Sequence, residues 1–435
     1  MFASAPVVQA TPPWLGLPFA LLLAAVAVMP FVHHHWWERH YAKVSVLLGA
    51  ISAGYYLFWR QDMARLLHVA HEYLGFVALV GSLYVVAGGI HVRVRGGATP
   101  LANCGVLLLG AVLANVVGTT GASMLLIRPY LRLNGRRVAA FHVVFFIFIV
   151  SNVGGCLTPI GDPPLFVGYL KGVPFWWVLR RCWPVWLLAV GGLLAVFYAL
   201  DRRNFLLVPP GERGEPAARG ESWRLEGGRN FLFLGVVLGA VFVEHPAGGR
   251  ETLMLAAAVG SYLLTPARLH AANHFDLAPV REVAWLFVGI FATMVPVLDS
   301  LSAHAPGFGI DSPLQFYWLT GALSGVLDNA PTYLGLLAVA LGSRGQGVDD
   351  PGRVAAFAEG HPAELMAISL GAVFFGAMTY IGNGPNFMVR SLAVRAGVRM
   401  PGFFAYVLRY SLPVLGPVFF VLGLLFFARW RMFGS

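Results

Sequence analysis

Two apolar runs of this chain, each longer than one membrane span requires, are broken at their centres by nearly the same phrase. The copies are Thr158-Pro-Ile160-Gly161-Asp162-Pro-Pro164 and Thr379-Tyr-Ile381-Gly382-Asn383-Gly-Pro385. Gly costs about 1 kcal/mol and Pro about 3 kcal/mol inside a helix, so neither run can continue as regular helix through its phrase. Opened backbone is not tolerated against lipid and must turn into protein or a polar cavity. There its carbonyls, with the Thr, Asp and Asn oxygens, are of the type that replaces the water shell of a small cation.

A second pair of phrases precedes the first in the same order: Asn115-Val-Val-Gly118-Thr119 and Asp328-Asn-Ala-Pro331-Thr332. The members of this pair stand 213 positions apart and those of the first pair 221 apart. The difference fits into the polar insert Gly342 to Pro362. Two pairs in one order at nearly one spacing identify a long tandem repeat that divides the chain near its middle.

Composition fixes the class. Apolar residues make up 58% of the 435 positions and charged residues 11%, which no water-facing surface accommodates, so the chain reads as an all-α polytopic membrane protein. Its net charge of +10 comes from 30 basic residues, only two of them Lys, placed in short loops between apolar runs; they set topology and do not form a nucleic-acid face. Cys104, Cys156 and Cys182 lack metal-ligand spacing and read as small core residues. Residues 1–13 carry no basic side chain, so the run from Trp14 is expected to be a retained first helix and not a cleaved signal. The histidine groups around His33 to His40 and His68 to Glu72 fall at span ends and read as interfacial. Trp36, Trp37, Trp176 and Trp177 fit an aromatic belt, with packing as their main role.

The apolar runs give residues 1–200 as a first repeat, 201–229 as a cytoplasmic linker and 230–435 as a second repeat. In each, the fourth run (101–127 and 313–341) is expected to be a re-entrant hairpin and the fifth (139–170 and 363–394) a broken helix. Arginines flank the first hairpin on both sides, Arg93 and Arg95 before it and Arg128, Arg132, Arg136 and Arg137 after it, which puts both feet on the cytoplasmic side. With the hairpin excluded each half crosses five times, and an odd number inverts the second half relative to the first. An outside N-terminus then places most Lys and Arg inside; Lys171, Arg180 and Arg181 fall against this rule.

Asp162 and Asp328 dominate the expected site, because a carboxylate at membrane depth costs at least about 2.5 kcal/mol unless a cation or proton offsets it. Both are read as sodium ligands, and Asp→Asn at either is expected to stop transport. Asn115, Thr119, Ser151, Asn152 and Thr158 in the first half, and Asn329, Thr332, Thr379, Asn383 and Asn386 in the second, supply neutral oxygens. For either Asp, capping a half-helix N-terminus or pairing with an Arg is the competing structural role, and no basic residue lies within ten positions of Asp328. Competition between a sodium ion and a proton for one carboxylate is the minimal mechanism of exchange. A rival enzyme reading, an intramembrane aspartyl protease using the two Asp, leaves the twin phrases and hairpins unexplained.

The stretches Asn152-Val-Gly-Gly-Cys-Leu-Thr-Pro-Ile-Gly-Asp162 and Leu327-Asp-Asn-Ala-Pro-Thr332 resemble the ion transporter superfamily, and within it the D-type bacterial sodium/proton antiporters and related citrate-metal symporters. The resemblance implies a bacterial inner-membrane homodimer, a separate site in each protomer, an elevator-like motion of hairpin and broken helix, and no cofactor beyond the transported Na⁺ or H⁺. Citrate and dicarboxylate carriers of the superfamily bear Ser-Asn-Thr at the hairpin tips. Here Ala114-Asn115-Val116 and Leu327-Asp328-Asn329 stand instead, which favours sodium/proton exchange over organic-anion symport, with oxyanion transport such as arsenite third.

Overall fold

The computed structural model describes residues 11–93, 99–207, 224–243 and 245–428. Among these the chain is helical almost throughout. Its helices are α1 Leu17–Val32, α2 His34–Gly54, α3 Met63–Gly88, α4 Pro100–Asn134, α5 Ala140–Ile149, α6 Pro163–Leu170, α7 Trp177–Leu207, α8 Asn230–Ala240, α9 Gly249–Leu264, α10 Ala267–Ala272, α11 Ala278–His304, α12 Pro313–Ser324, α13 Asn329–Gly342, α14 Pro351–Gly360, α15 Pro362–Phe375, α16 Gly384–Arg395, α17 Phe403–Tyr406 and α18 Gly416–Phe427. A π-helical segment Val407–Leu415 joins the last two. Seven helical segments are long and apolar enough to cross a membrane, or eight if the sharply bent pair α14 and α15 is one span. Large apolar side chains such as Leu47, Phe58, Leu101, Leu232 and Phe404 cover the outer surface, as lipid requires.

One of the seven does not cross. At Gly118, α4 leaves helical geometry (φ 76°, ψ 156°), and Asn103 and Asn134 exchange side-chain hydrogen bonds of 2.8 and 2.9 Å. A continuous helix would hold those two residues about 46 Å apart. The element is therefore a hairpin with its tip at Gly118 and both feet on one face. The second hairpin follows from a similar argument. A Cβ on Gly342 would lie 2.5 Å from Ser302 Cα, and the mostly helical path from Ser302 to Pro313 reaches at most about 27 Å. A straight α12–α13 helix would separate its ends by about 44 Å. The chain turns back between Ser324 and Asn329.

Both broken helices are present, α5 with α6 and α15 with α16, interrupted over residues 150–162 and 376–383. Several packing relations come in pairs: α2 lies on α11 and α9 on α3, α1 on α2 and α8 on α9, and α6 on α13 and α16 on α4; the extensive packing of α12 on α15 has only a small counterpart in α4 on α5. Loops gather at two faces. On one, His91–Arg93 pairs antiparallel with Arg224–Glu226, and Asn230 and Asn273 bind the carbonyls ending α3. On the other lie the ends of α6, α11 and α13.

Several expectations are corrected. The linker does not begin at Asp201. That carboxylate is fully buried, held by Arg137, by His142 at 3.0 Å and by Asn103 at 2.7 Å, so α7 continues to Leu207. The rest of the expected linker through residue 223 lies outside the described residues, as do residues 1–10, Arg95 and Glu244. The insert after α13 holds a helix, α14, capped by Asp350. At 11 residues, α8 is about 16 Å long and falls short of a full span of about 30 Å. Lys171, one of the three residues that fall against the charge rule, is buried, and its ammonium pairs with Glu72 at 2.9 Å and Asp349 at 2.6 Å. Asp349 also binds Arg65, which pairs with Asp299. Trp37 and Trp177 are buried, in line with the packing role expected of them. Among the described residues no group of three His, Cys, Asp or Glu is placed to hold a metal.

With the native cysteines replaced, cysteines at positions 103 and 134 will form a disulfide on mild oxidation, seen as a mobility shift that reductant reverses. Failure to cross-link in the folded protein would return α4 to a straight helix.

Candidate functional site

The two breaks are built alike. In the first, Gly155 and Gly161 bring their backbones into contact, so that a Cβ on Gly155 would meet Gly161 O at 2.9 Å. In the second, a Cβ on Gly382 would meet Gly376 O at 2.7 Å. Thr158 donates through Oγ1 to Asn115 O at 2.6 Å and accepts from Gly161 N–H; Thr379 donates to Gly325 O at 2.8 Å and accepts from Gly382 N–H. Each Thr thus closes its own loop and fastens it to the neighbouring hairpin tip. This is the physical content of the repeated Thr-x-Ile-Gly phrase: Gly for close approach and a hydroxyl for the freed backbone groups.

Asp162 stands at the centre, 1% exposed. Three neutral donors from three elements reach it: Thr119 Oγ1 at 2.8 Å, Asn329 Nδ2 at 2.6 Å and Asn383 Nδ2 at 2.9 Å. Thr119 and Asn329 are the first residues past the two hairpin tips, and Asn383 stands just before α16 as Asp162 stands just before α6. Four helix N-termini therefore meet at one carboxylate, and their partial positive charge favours its anion. Among the described residues no basic side chain binds Asp162, and hydrogen bonds from neutral groups cannot cancel a full buried charge. If the Asn329 and Asn383 amides turn over, their oxygens join those of Asp162 and Thr119 as ligands for a small cation, or a proton takes its place.

The remaining candidates divide by role. Asn383 also reaches Ser151 O at 3.1 Å and Asn152 Oδ1 at 3.2 Å. Asn152 donates to Asn386 Oδ1 at 2.7 Å, tying one break to the other, and Asn386 in turn holds the carbonyls of Gly376 and Thr379. Asn115 is spent on backbone, donating to Ala111 and Gly154 and accepting from Leu157 N–H. Thr332 bonds only the carbonyl of Asp328. Asp328 itself caps α13 through Ala330 N–H at 3.1 Å and makes no hydrogen bond to the Asp162 cluster. The sequence reading missed Ser123, which bonds Ser151 at 2.8 Å; its place four residues after Thr119, on one helix face, was the available signal. It also missed Trp186, whose indole donates to Gly154 O at 2.9 Å. Beside the first break, Asn115 and Thr158 are the polar residues in the wall of an otherwise apolar cavity of about 360 Å³ that includes Trp176, Trp186 and Phe242.

Because Gly161 and Gly382 sit in backbone contact, a single methyl has no room. Gly161→Ala and Gly382→Ala will each lower transport at least about tenfold and reduce the melting temperature of the purified protein. Wild-type behaviour of both would show that the loops can open.

Comparison with known proteins agrees with this architecture. Residues 8–427 match a family described as "Putative citrate transport". Uncharacterized transporters of Mycobacterium bovis and Mycobacterium tuberculosis are each 24% identical to this chain over 384 residues, covering 82% of it and 85% of their own length. A family match over nearly the whole length fixes the class as a multi-pass membrane transporter and not an enzyme: the chain belongs to the citrate-transport family.

Proposed function

We propose that the chain is a secondary transporter whose ion site is Asp162, working by exchange of sodium and protons at that carboxylate. The observation that carries this reading is a buried carboxylate met by three neutral donors and no cationic side chain. Such a group is stable in the membrane either protonated or with a bound cation, and alternation between the two is exchange. The paired packing of α2 with α11 and α9 with α3 supports two inverted repeats, 1–200 and 230–435. So does the matching placement of Thr119 with Asn329 and of Asp162 with Asn383. On that register Asn329, not Thr332, is the partner of Thr119. An inner-membrane location with the N-terminus outside, a homodimer and an elevator-like motion complete the proposal by resemblance to the ion transporter superfamily.

A second reading, symport of a citrate-like anion with the cation at Asp162, is favoured by the family description. Pro163 and Pro164 remove two N–H groups from the first turn of α6, and those of Leu165 and Phe166 bind Asp162 O, which leaves none there for an anion and keeps this reading second. Proteoliposomes with an internal pH dye separate the two. A pH change driven by Na⁺ without citrate supports exchange; a response only when citrate is added supports symport.

The two aspartates will differ. Asp162→Asn will bring transport to background, whereas Asp328→Asn will retain it within about tenfold, because Asn caps a helix as well as Asp. The reverse order would move the ion to Asp328.

A further inference from the structure

The two helical segments that run from the Asp162 cluster to the face of the first hairpin's feet carry arginines at matched depths. On the second arm of α4, Arg128 and Arg132 lie about 13 and 20 Å beyond Thr119; on α16, Arg390 and Arg395 lie about 10 and 18 Å beyond Asn383. These segments pack on each other. Arg128 is half-buried, and the charged groups that bear on it are the guanidinium groups of Arg132 and Arg395, beside the Tyr84 phenol. Among the described residues no carboxylate forms an ion pair with Arg128, Arg132, Arg390 or Arg395. Arg390 instead lies 5.0 Å over the Tyr380 ring.

The opposite route differs. There α6 and α13 also pack on each other and leave the same cluster, but they are apolar along their length. The cations just beyond their ends are neutralised, Lys171 by Glu72 and Asp349, and Arg344 by Glu364 at 2.7 Å. Among the described residues, the arginines without a carboxylate partner on the helices that leave the cluster lie at this one mouth. Loop arginines that only set topology need no such convergence. Arg128 and Arg132 stand one turn apart on α4 and Arg395 lies at a similar depth on α16, which packs against α4; their like charges repel, and a multiply charged oxyanion between them relieves that repulsion.

We propose that Arg128, Arg132 and Arg395 form an oxyanion-binding site at this mouth, separate from Asp162. It takes a carboxylate or phosphate group, from a soluble polycarboxylate or from the headgroup of an anionic lipid. This goes beyond sodium/proton exchange and does not depend on it.

The test uses the purified full chain in phosphatidylcholine nanodiscs, with its melting temperature followed as citrate is added, against chloride at equal ionic strength. Parallel nanodiscs contain phosphatidylglycerol. Citrate is expected to raise the melting temperature saturably, with apparent affinity about tenfold or more weaker in Arg128→Gln and Arg395→Gln and unchanged in Asp162→Asn. Stabilisation by phosphatidylglycerol alone, lost in the same arginine variants, assigns the site to a lipid headgroup. Variants that match the wild type with both probes overturn the site; Arg395 is exposed, so its replacement tests binding without disturbing the core. Absence of Na⁺-driven pH change in proteoliposomes, with anion binding intact, would remove the exchange reading and leave this site standing.

Discussion

Everything near the centre of this molecule follows from backbone broken inside an apolar layer. Each interruption releases N–H and C=O groups that lipid cannot satisfy, and the cost of leaving them unpaired exceeds the cost of placing polar side chains among hydrocarbon. Asn115, Thr158 and Thr379 meet it by binding carbonyls and amides of the opened loops. Asn152 and Asn386 join one broken helix to the other. Only after those groups are satisfied do Thr119, Asn329 and Asn383 remain to point at Asp162. The Asp162 cluster is what is left when the backbone has been repaired.

That order explains what was legible in the sequence. The breaks themselves and a hairpin turning at the Asn115 to Thr119 phrase follow from local chemistry, Gly and Pro in long apolar runs; the sequence marked both Asp162 and Asp328 as carboxylates at membrane depth and did not rank them. The division of labour among the polar residues was not legible, because it depends on which groups meet in space. Asp328 and Asp162 look equivalent as letters. Asp328, however, falls at the start of α13, where its own chain offers an N–H, while Asp162 is followed by two prolines that offer none and must find partners elsewhere. Likewise Thr332 matches Thr119 in a written alignment, yet one residue past the tip is the position that reaches the carboxylate, and there the second half has Asn329. The buried ion pairs at the faces escaped for a related reason. Asp201 opens a polar stretch and reads as solvated, but it is buried by Asn103, Arg137 and His142, which stand 98, 64 and 59 positions earlier in the chain.

The two ends of each hairpin are held by different forces, and this sets which part can rearrange at least cost. The first hairpin's feet join α7 through Asn103, Asn134, Arg137 and Asp201, a buried charged network that is costly to break at one member. Beyond the second hairpin, Arg344 pairs with Glu364 on α15, and Asp349 joins Arg65 and Lys171. Its tip and that of the first hairpin meet Asp162 through one neutral donor each, Asn329 and Thr119. A cation or proton at Asp162 competes directly for the lone pairs those donors use. On the proposed exchange, occupancy would therefore act first on the contacts that hold the tips together. On the proposed elevator-like motion, the charged networks would carry each hairpin as a unit with the helices at its feet and so couple a change at one buried carboxylate to the placement of whole elements.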